Sequence, residues 1–275
     1  MDQTHAAEIT QGQRFEFGAN WARFLQVLNE SRIDQAVASL RAMLEVTDLK
    51  GKRFLDAGSG SGLFSLAARR LGASVHSFDY DPKSVACTQE LKRVYFPHDS
   101  KWTVEEASVL NRDYLAKLGQ FDVVYSWGVL HHTGAMWQAL ENVAALVADG
   151  GRLFIAIYND QGLMSRYWYA VKKAYVRYPL MHWPLLLLHM PYPFFASWLV
   201  HALTGRLGQE RGMSLWHDLI DWIGGYPFEV ARPGEIFRFY RDKGFTLCEM
   251  KTTCRLGCNE FVFLRTTPAR QFAKD

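Results

Sequence analysis

Asp56-Ala57-Gly58-Ser59-Gly60-Ser61-Gly62 sets an acid directly before three alternating glycines. Glycines so spaced permit positive φ and let backbone N–H groups come close to a ligand. The spacing is G-x-G-x-G, unlike the G-x-G-x-x-G fingerprint that cradles a pyrophosphate. A carboxylate at Asp56 would repel a pyrophosphate, but it suits an ammonium group, met directly or through water. A second acid, Asp79, ends the next predicted strand about twenty residues further on, where a carboxylate accepts both hydroxyls of a ribose. Asp81, immediately before Pro82, fits the N-cap of the next helix better than a ligand role.

Two tandem histidines, His131 and His132, follow the apolar run that begins at Phe121. A neutral imidazole near neutral pH can take a proton from a hydroxyl nucleophile. Packing or anchoring of a loop is the other reading of the pair. Tyr158, Asn159 and Asp160 leave a later strand at the same edge, so Tyr158 is a candidate pocket residue and Asp160 a further candidate base. His217, Asp218, Asp221, Tyr226 and Glu229 form a polar group among aromatics near two glycines and a proline, the composition of a loop that closes over a pocket. His217, Asp218, Asp221 and Glu229 could orient an acceptor or bind a metal, and capping and salt bridging fit them equally well; Tyr226 is a candidate pocket residue. Cys254 and Cys258 could be half of a metal site, but Cys87 and Cys248 supply no second pair, so the spacing reads as strand residues near a turn and no metal is expected.

These groups need a scaffold that brings distant segments to one edge. Apolar residues at helical spacing from Trp21 to Leu44 predict two amphipathic helices broken near residues 29–31. Strands are then predicted over residues 53–57, 74–78, 102–106, 121–127 and 152–158, with helices over 63–71, 82–95 and 136–147. Strands alternating with helices predict a parallel sheet covered on both faces. The rhythm stops over residues 161–213 and resumes with a helix over 233–243 and strands over 246–252 and 259–265, a terminal antiparallel hairpin. The expected organisation is N-terminal helices over 1–50, a ligand-binding core over 51–160, an insertion over 161–230, and a helix with hairpin over 231–275.

The glycine loop with Asp56, the strand end at Asp79, the run from Phe121 to His132, and Asp149-Gly-Gly followed by a strand together resemble the class I methyltransferase family. The resemblance covers roughly residues 50–160 and implies a Rossmann-like, seven-stranded α/β sheet with S-adenosylmethionine as cofactor. It implies donor contacts at Asp56, Gly58, Gly60, Gly62, Asp79, Tyr80, Ser126 and Trp127, the ammonium being that of the methionine moiety. The adenine contact then falls near Ser108 and Val109, where many relatives carry an acid. Because a sulfonium carries its own leaving group, alignment in a dry pocket supplies most of the acceleration. Transfer to oxygen on a small aromatic or lipid-like acceptor is the leading expectation. Transfer to nitrogen, carbon, sulfur or a glycan hydroxyl, and a non-catalytic binding role, stay open.

The 275-residue chain is 49% apolar and 21% charged, with a net charge of +3. That balance is ordinary for a globular chain and too small to suggest a nucleic-acid partner. Aromatics make up 14% and concentrate after Tyr158. Residues 161–213 carry six basic residues and one acid, and their prolines and histidines argue against a membrane-spanning helix. The segment 178–203 suits a lid over a hydrophobic acceptor, contact with a membrane surface, or an interface in a homodimer instead of a monomer. Its position also resembles that of insertions in the quinone-precursor O-methyltransferases. Few cysteines and no apolar leader point to the cytoplasm, with peripheral membrane association open.

Overall fold

The computed structural model describes residues 4–18, 21, 25, 27–189, 220 and 222–266. His217, Asp218 and Asp221, and most of the segment 178–203, lie outside the described residues.

The chain opens with a short helix, α1 (His5–Thr10), which the polar composition there did not suggest. Helix α2 (Glu30–Leu44) begins where the periodicity breaks, because the Asn29 side chain accepts the Arg32 N–H at 3.1 Å. Next come β1 (Arg53–Ala57), α3 (Leu63–Arg70), β2 (Ser74–Asp79), α4 (Pro82–Tyr95) and β3 (Trp102–Glu106). A short helix, α5 (Arg112–Leu118), leads into β4 (Phe121–Trp127), α6 (Met136–Ala145) and β5 (Val147–Tyr158). The aromatic insertion supplies α7 (Leu163–Arg177) and α8 (His182–His189), and the chain ends with α9 (Pro233–Arg241), β6 (Phe245–Lys251) and β7 (Cys258–Arg265).

The seven strands form one sheet in the order β3-β2-β1-β4-β5-β7-β6. The first five are parallel, while β7 runs antiparallel to β5 and to β6. This is the Rossmann-like sheet with a terminal hairpin that the alternation of elements predicts. Strand β5 starts five residues earlier than expected. Phe121 pairs with Val147, and the register then shifts so that Val123 meets Arg152, which absorbs the Asp149-Gly-Gly turn as a bulge.

One face of the sheet packs on α2, α3 and α4 through Leu40, Leu66 and Leu91, and the other on α5, α6 and α9 through Leu115, Leu140 and Ile236. A third apolar cluster joins α7 to α8 through Trp168, Val171, Tyr175 and Leu185, with Ile223 and Phe228. The buried positions of α7 recur three or four apart, the stripe of an amphipathic helix. Because the chain builds β1 to β3 outward and then crosses to β4, the carboxyl ends of β1 and β4 flank the crevice where such sheets bind ligands.

Candidate active site

Strand β1 carries Asp56 to that edge and β2 carries Asp79. Gly58 follows with φ 87°, and a Cβ there would stand 2.4 Å from Val129 Cγ1, so no other residue fits the bend. Gly62, at φ 80°, N-caps α3, and a Cβ there would stand 2.9 Å from Thr88 Cα. The Asp79 carboxylate accepts the Gly60 N–H at 2.8 Å and the Asp81 N–H at 2.9 Å, one on each oxygen. A carboxylate has about four lone-pair sites, so these bonds leave acceptor capacity for a ligand hydroxyl. Burial pushes its carboxyl up to about 6, against the pull of those backbone bonds.

Asp56 is 2% exposed, and its carboxylate accepts the Ser65 hydroxyl at 2.5 Å. Burial pushes it up to about 7, with the neighbouring Asp79 charge adding to the rise. Two desolvated acids side by side favour a ligand that brings positive charge and hydroxyl donors, so the groups present fit S-adenosylmethionine. Asp81 does other work: it accepts the Lys83 N–H at 2.8 Å as the cap of α4 and the Gly18 N–H at 2.8 Å.

A cavity of about 1060 Å³ extends from these acids, just above the range of about 300–1,000 Å³ usual for ligand pockets. Asp56, Gly58, Gly60, Asp79, Tyr80, Ser108, Val109, Trp127, His132 and Tyr158 all line it. Gly62 does not, since it turns the chain into α3. Ser126 does not either: strand alternation turns it to the opposite face from Tyr125 and Trp127, and its hydroxyl donates to the Ala57 carbonyl at 2.7 Å.

The tandem histidines separate. His131 is fully buried and outside the cavity lining; its Nδ1 accepts the Tyr158 N–H at 3.3 Å, and its ring lies 3.9 Å from that of Tyr158. Burial, reinforced by the charges of His132 and Lys172, holds it well below the usual histidine range. The reach that a base needs is therefore missing from His131. His132 lines the cavity, and its Nδ1 lies 2.6 Å from the Pro227 carbonyl. A carbonyl only accepts, so Nδ1 carries the hydrogen and Nε2 keeps its lone pair. Burial lowers His132 to about 3, with Lys172 and Arg14 adding to the drop.

Asp160 also stands away from the cavity, with its carboxylate 3.4 Å from the Arg232 guanidinium and accepting the Gly162 N–H at 2.8 Å. Tyr226 packs its ring 5.9 Å from that of Tyr169, outside the lining. Glu229 accepts the Met136 N–H at 3.0 Å at the start of α6, the capping alternative for that polar loop.

Besides Tyr125 on β4, the residues missed by sequence reading come from the two ends of the chain and from the insertion. Arg14, Phe15, Phe17 and Trp21 close the cavity from the N-terminal side. Phe17 lies 4.9 Å from the His132 ring, and the Trp21 ring stands 3.1 Å from where a Gly60 Cβ would be. Trp168, His189 and Trp222 form the far wall, and Arg255 and Glu260 belong to the terminal hairpin. Aromatic density after Tyr158 was the available signal for the wall; nothing local marked the N-terminal strap.

A family model for a methyltransferase domain matches residues 23–212. Ubiquinone biosynthesis O-methyltransferase of Xanthomonas oryzae pv. oryzae is 33% identical over 138 residues, which is 49% of this chain and 52% of that protein. The protein of the same name from Aeromonas salmonicida is 34% identical over 113 residues, 40% of this chain and 45% of its own. The chain thus spans about half the length of the curated relatives it matches. Among solved structures, magnesium protoporphyrin IX methyltransferase from Synechocystis PCC 6803 with bound SAH superposes with a TM-score of 0.52 at 17% identity, over 85% of this chain and 82% of that one. An O-methyltransferase family protein from Burkholderia thailandensis gives 0.53 at 15% identity, over 95% and 67%. The chain belongs to the methyltransferase-domain family, enzymes whose methyl donor is S-adenosylmethionine.

Proposed function

We propose that the protein transfers the methyl group of S-adenosylmethionine to an oxygen atom of a small aromatic or lipid-like acceptor. The observation that carries this reading is the single cavity that joins the acids Asp56 and Asp79 to the aromatic wall of Tyr158, Trp168 and Trp222. The relatives named for O-methylation in ubiquinone biosynthesis support the choice of oxygen.

In this reading Asp79 accepts the ribose hydroxyls, Asp56 faces the α-ammonium, and Ser108 and Val109 flank the adenine. The donor supplies an electrophilic methyl group with a built-in leaving group. His132 presents Nε2 to the acceptor hydroxyl and orients it; a group lowered to about 3 is a weak proton acceptor near neutral pH, so its contribution is alignment. Phe15, Phe17 and Trp222 exclude water from the transfer.

Residues 163–189 serve as part of the acceptor-side cover, and their outer surface meets a membrane. Leu163, Leu180, Trp183, Leu187 and Leu188 are exposed on α7, α8 and the turn between them. Residues 163–189 hold no acid, and Arg166, Lys173 and Arg177 are exposed on them, while Lys172 is buried with its ammonium donating to the Trp222 carbonyl. Apolar and aromatic groups beside cations are what an anionic interface favours. No helix among the described residues is long and apolar enough to cross a bilayer. The protein would therefore act at the cytoplasmic membrane surface, as a monomer or homodimer, on an acceptor that partitions into lipid.

Incubation with isotopically labelled S-adenosylmethionine and a panel of phenolic and catecholic acceptors tests the reading, with products identified by mass. Label on an aromatic oxygen is the expected result. Label exclusively on nitrogen, carbon or sulfur would replace it.

A further inference from the structure

Tyr125 holds a hydroxyl that the proposed chemistry leaves unused. Its Oη is sealed from solvent and has no hydrogen-bond partner among the described residues, although the residue lines the cavity. A buried hydroxyl without a partner destabilises a fold, so its presence calls for a ligand. The ring needs no hydroxyl to pack. Phe64 lies 4.9 Å away and Phe54 5.9 Å away in stacked geometry, and Phe154 meets it edge-on at 5.1 Å. Three aromatic neighbours fix the ring, and with it the position of Oη.

Tyr125 and Asp56 are register partners on β4 and β1, so their side chains leave the same face of the sheet as neighbours. The charges that bear most on the phenol, after burial itself, are those of Asp56 and Glu260, and both residues line the cavity. Negative charge from these acids acting on an unpartnered oxygen favours a cationic donor. A tyrosine hydroxyl can accept a hydrogen bond from such a donor.

We propose that Tyr125 Oη is a binding group for the amino-acid end of the methyl donor, accepting an N–H of the α-ammonium while Asp56 takes another. The assignment rests on the donor reading given above and adds to it a residue that holds the ammonium from β4. It also accounts for a tyrosine among phenylalanines, where a fourth phenylalanine would fill the space.

The test is calorimetric titration of wild-type protein and Tyr125→Phe with three probes. These are S-adenosylhomocysteine, its deaminated analogue, which keeps the carboxylate, and methylthioadenosine, which lacks the amino-acid chain. The variant should bind S-adenosylhomocysteine about tenfold or more weakly, the scale of a lost hydrogen bond to a charged group. It should bind the other two within about twofold of wild type, the spread expected where no such bond is lost. Its unliganded melting temperature should rise, because the orphaned hydroxyl is gone. Unchanged affinity for S-adenosylhomocysteine, or an equal loss for all three probes, overturns the assignment and leaves the donor reading standing. Wild-type protein that binds none of the three overturns the donor reading, and the assignment with it.

Discussion

The Arg14 guanidinium donates through Nη1 to the main-chain carbonyl of His132 at 2.8 Å, across 118 residues of sequence. The same side chain meets Glu8 at 2.5 Å and lies 5.1 Å from the centre of the Tyr80 ring. One residue thus ties the N-terminal strap to Tyr80 and to His132, the residues at the proposed donor and acceptor ends of the cavity. Arg14→Ala should weaken S-adenosylhomocysteine binding about tenfold, the scale of a hydrogen bond involving a charged group. Limited proteolysis should then cut within residues 4–18 faster in the variant, and an unchanged digestion rate would count against the strap.

The two histidines should separate by experiment as they do in space. His132→Ala should lower kcat at least about tenfold with little change in donor affinity, because it removes only alignment of the acceptor. His131→Gln should leave the cavity wall in place but cost about 1–3 kcal/mol of stability through its buried position against Tyr158. Steady-state kinetics and thermal melts on both variants check this. A larger kcat loss in the His131 variant at equal folded fraction would reverse the assignment.

The raised carboxyls give opposite pH trends for the free and liganded protein. Asp56, at about 7, and Asp79, at about 6, keep protons in the folded chain that the unfolded chain releases near 3.8. Their contribution to the stability of the free protein is fully present below 3.8 and is lost as the pH rises through about 6 to about 7. Donor affinity should run the other way and strengthen over the upper part of that window, since the charged carboxylates bind the ammonium and hydroxyls. Titrations across the window on wild type and Asp56→Asn check both trends, and the variant should lose most of the pH dependence.

The exposed face of α7 and α8 makes a separate prediction. Trp183→Glu together with Leu187→Glu should abolish flotation with vesicles rich in anionic lipid, while activity on a water-soluble acceptor is retained. Flotation that survives both substitutions would rule out this face.

Much of the core was legible because its signals are local. Strands β1, β3 and β4 and helix α4 occupy the predicted spans; β1 and β4 stop at glycines, and α4 starts at the Asp81-Pro82 signal. Helix α5 escaped because its seven residues bury one side chain, Leu115. That Asp56 and Asp79 would meet at one cavity was readable from type and position. The separation of His131 from His132 was not, because it depends on the three-residue 3-10 turn that holds them and on Pro227, 95 residues away. Tyr125 stood two places before Trp127, hence on the same strand face, but reading a hydroxyl as unpartnered requires its three-dimensional neighbours. The Arg14 strap is a contact between chain segments that no periodicity encodes.

Calorimetric titration with S-adenosylhomocysteine on wild type and on Asp79→Ala tests the central claim most directly. The account predicts one-to-one binding at about micromolar affinity, reduced at least about a hundredfold in the variant, whose far-ultraviolet circular dichroism stays that of the wild type. Equal affinity in the two proteins, or no heat from the wild type, would contradict it.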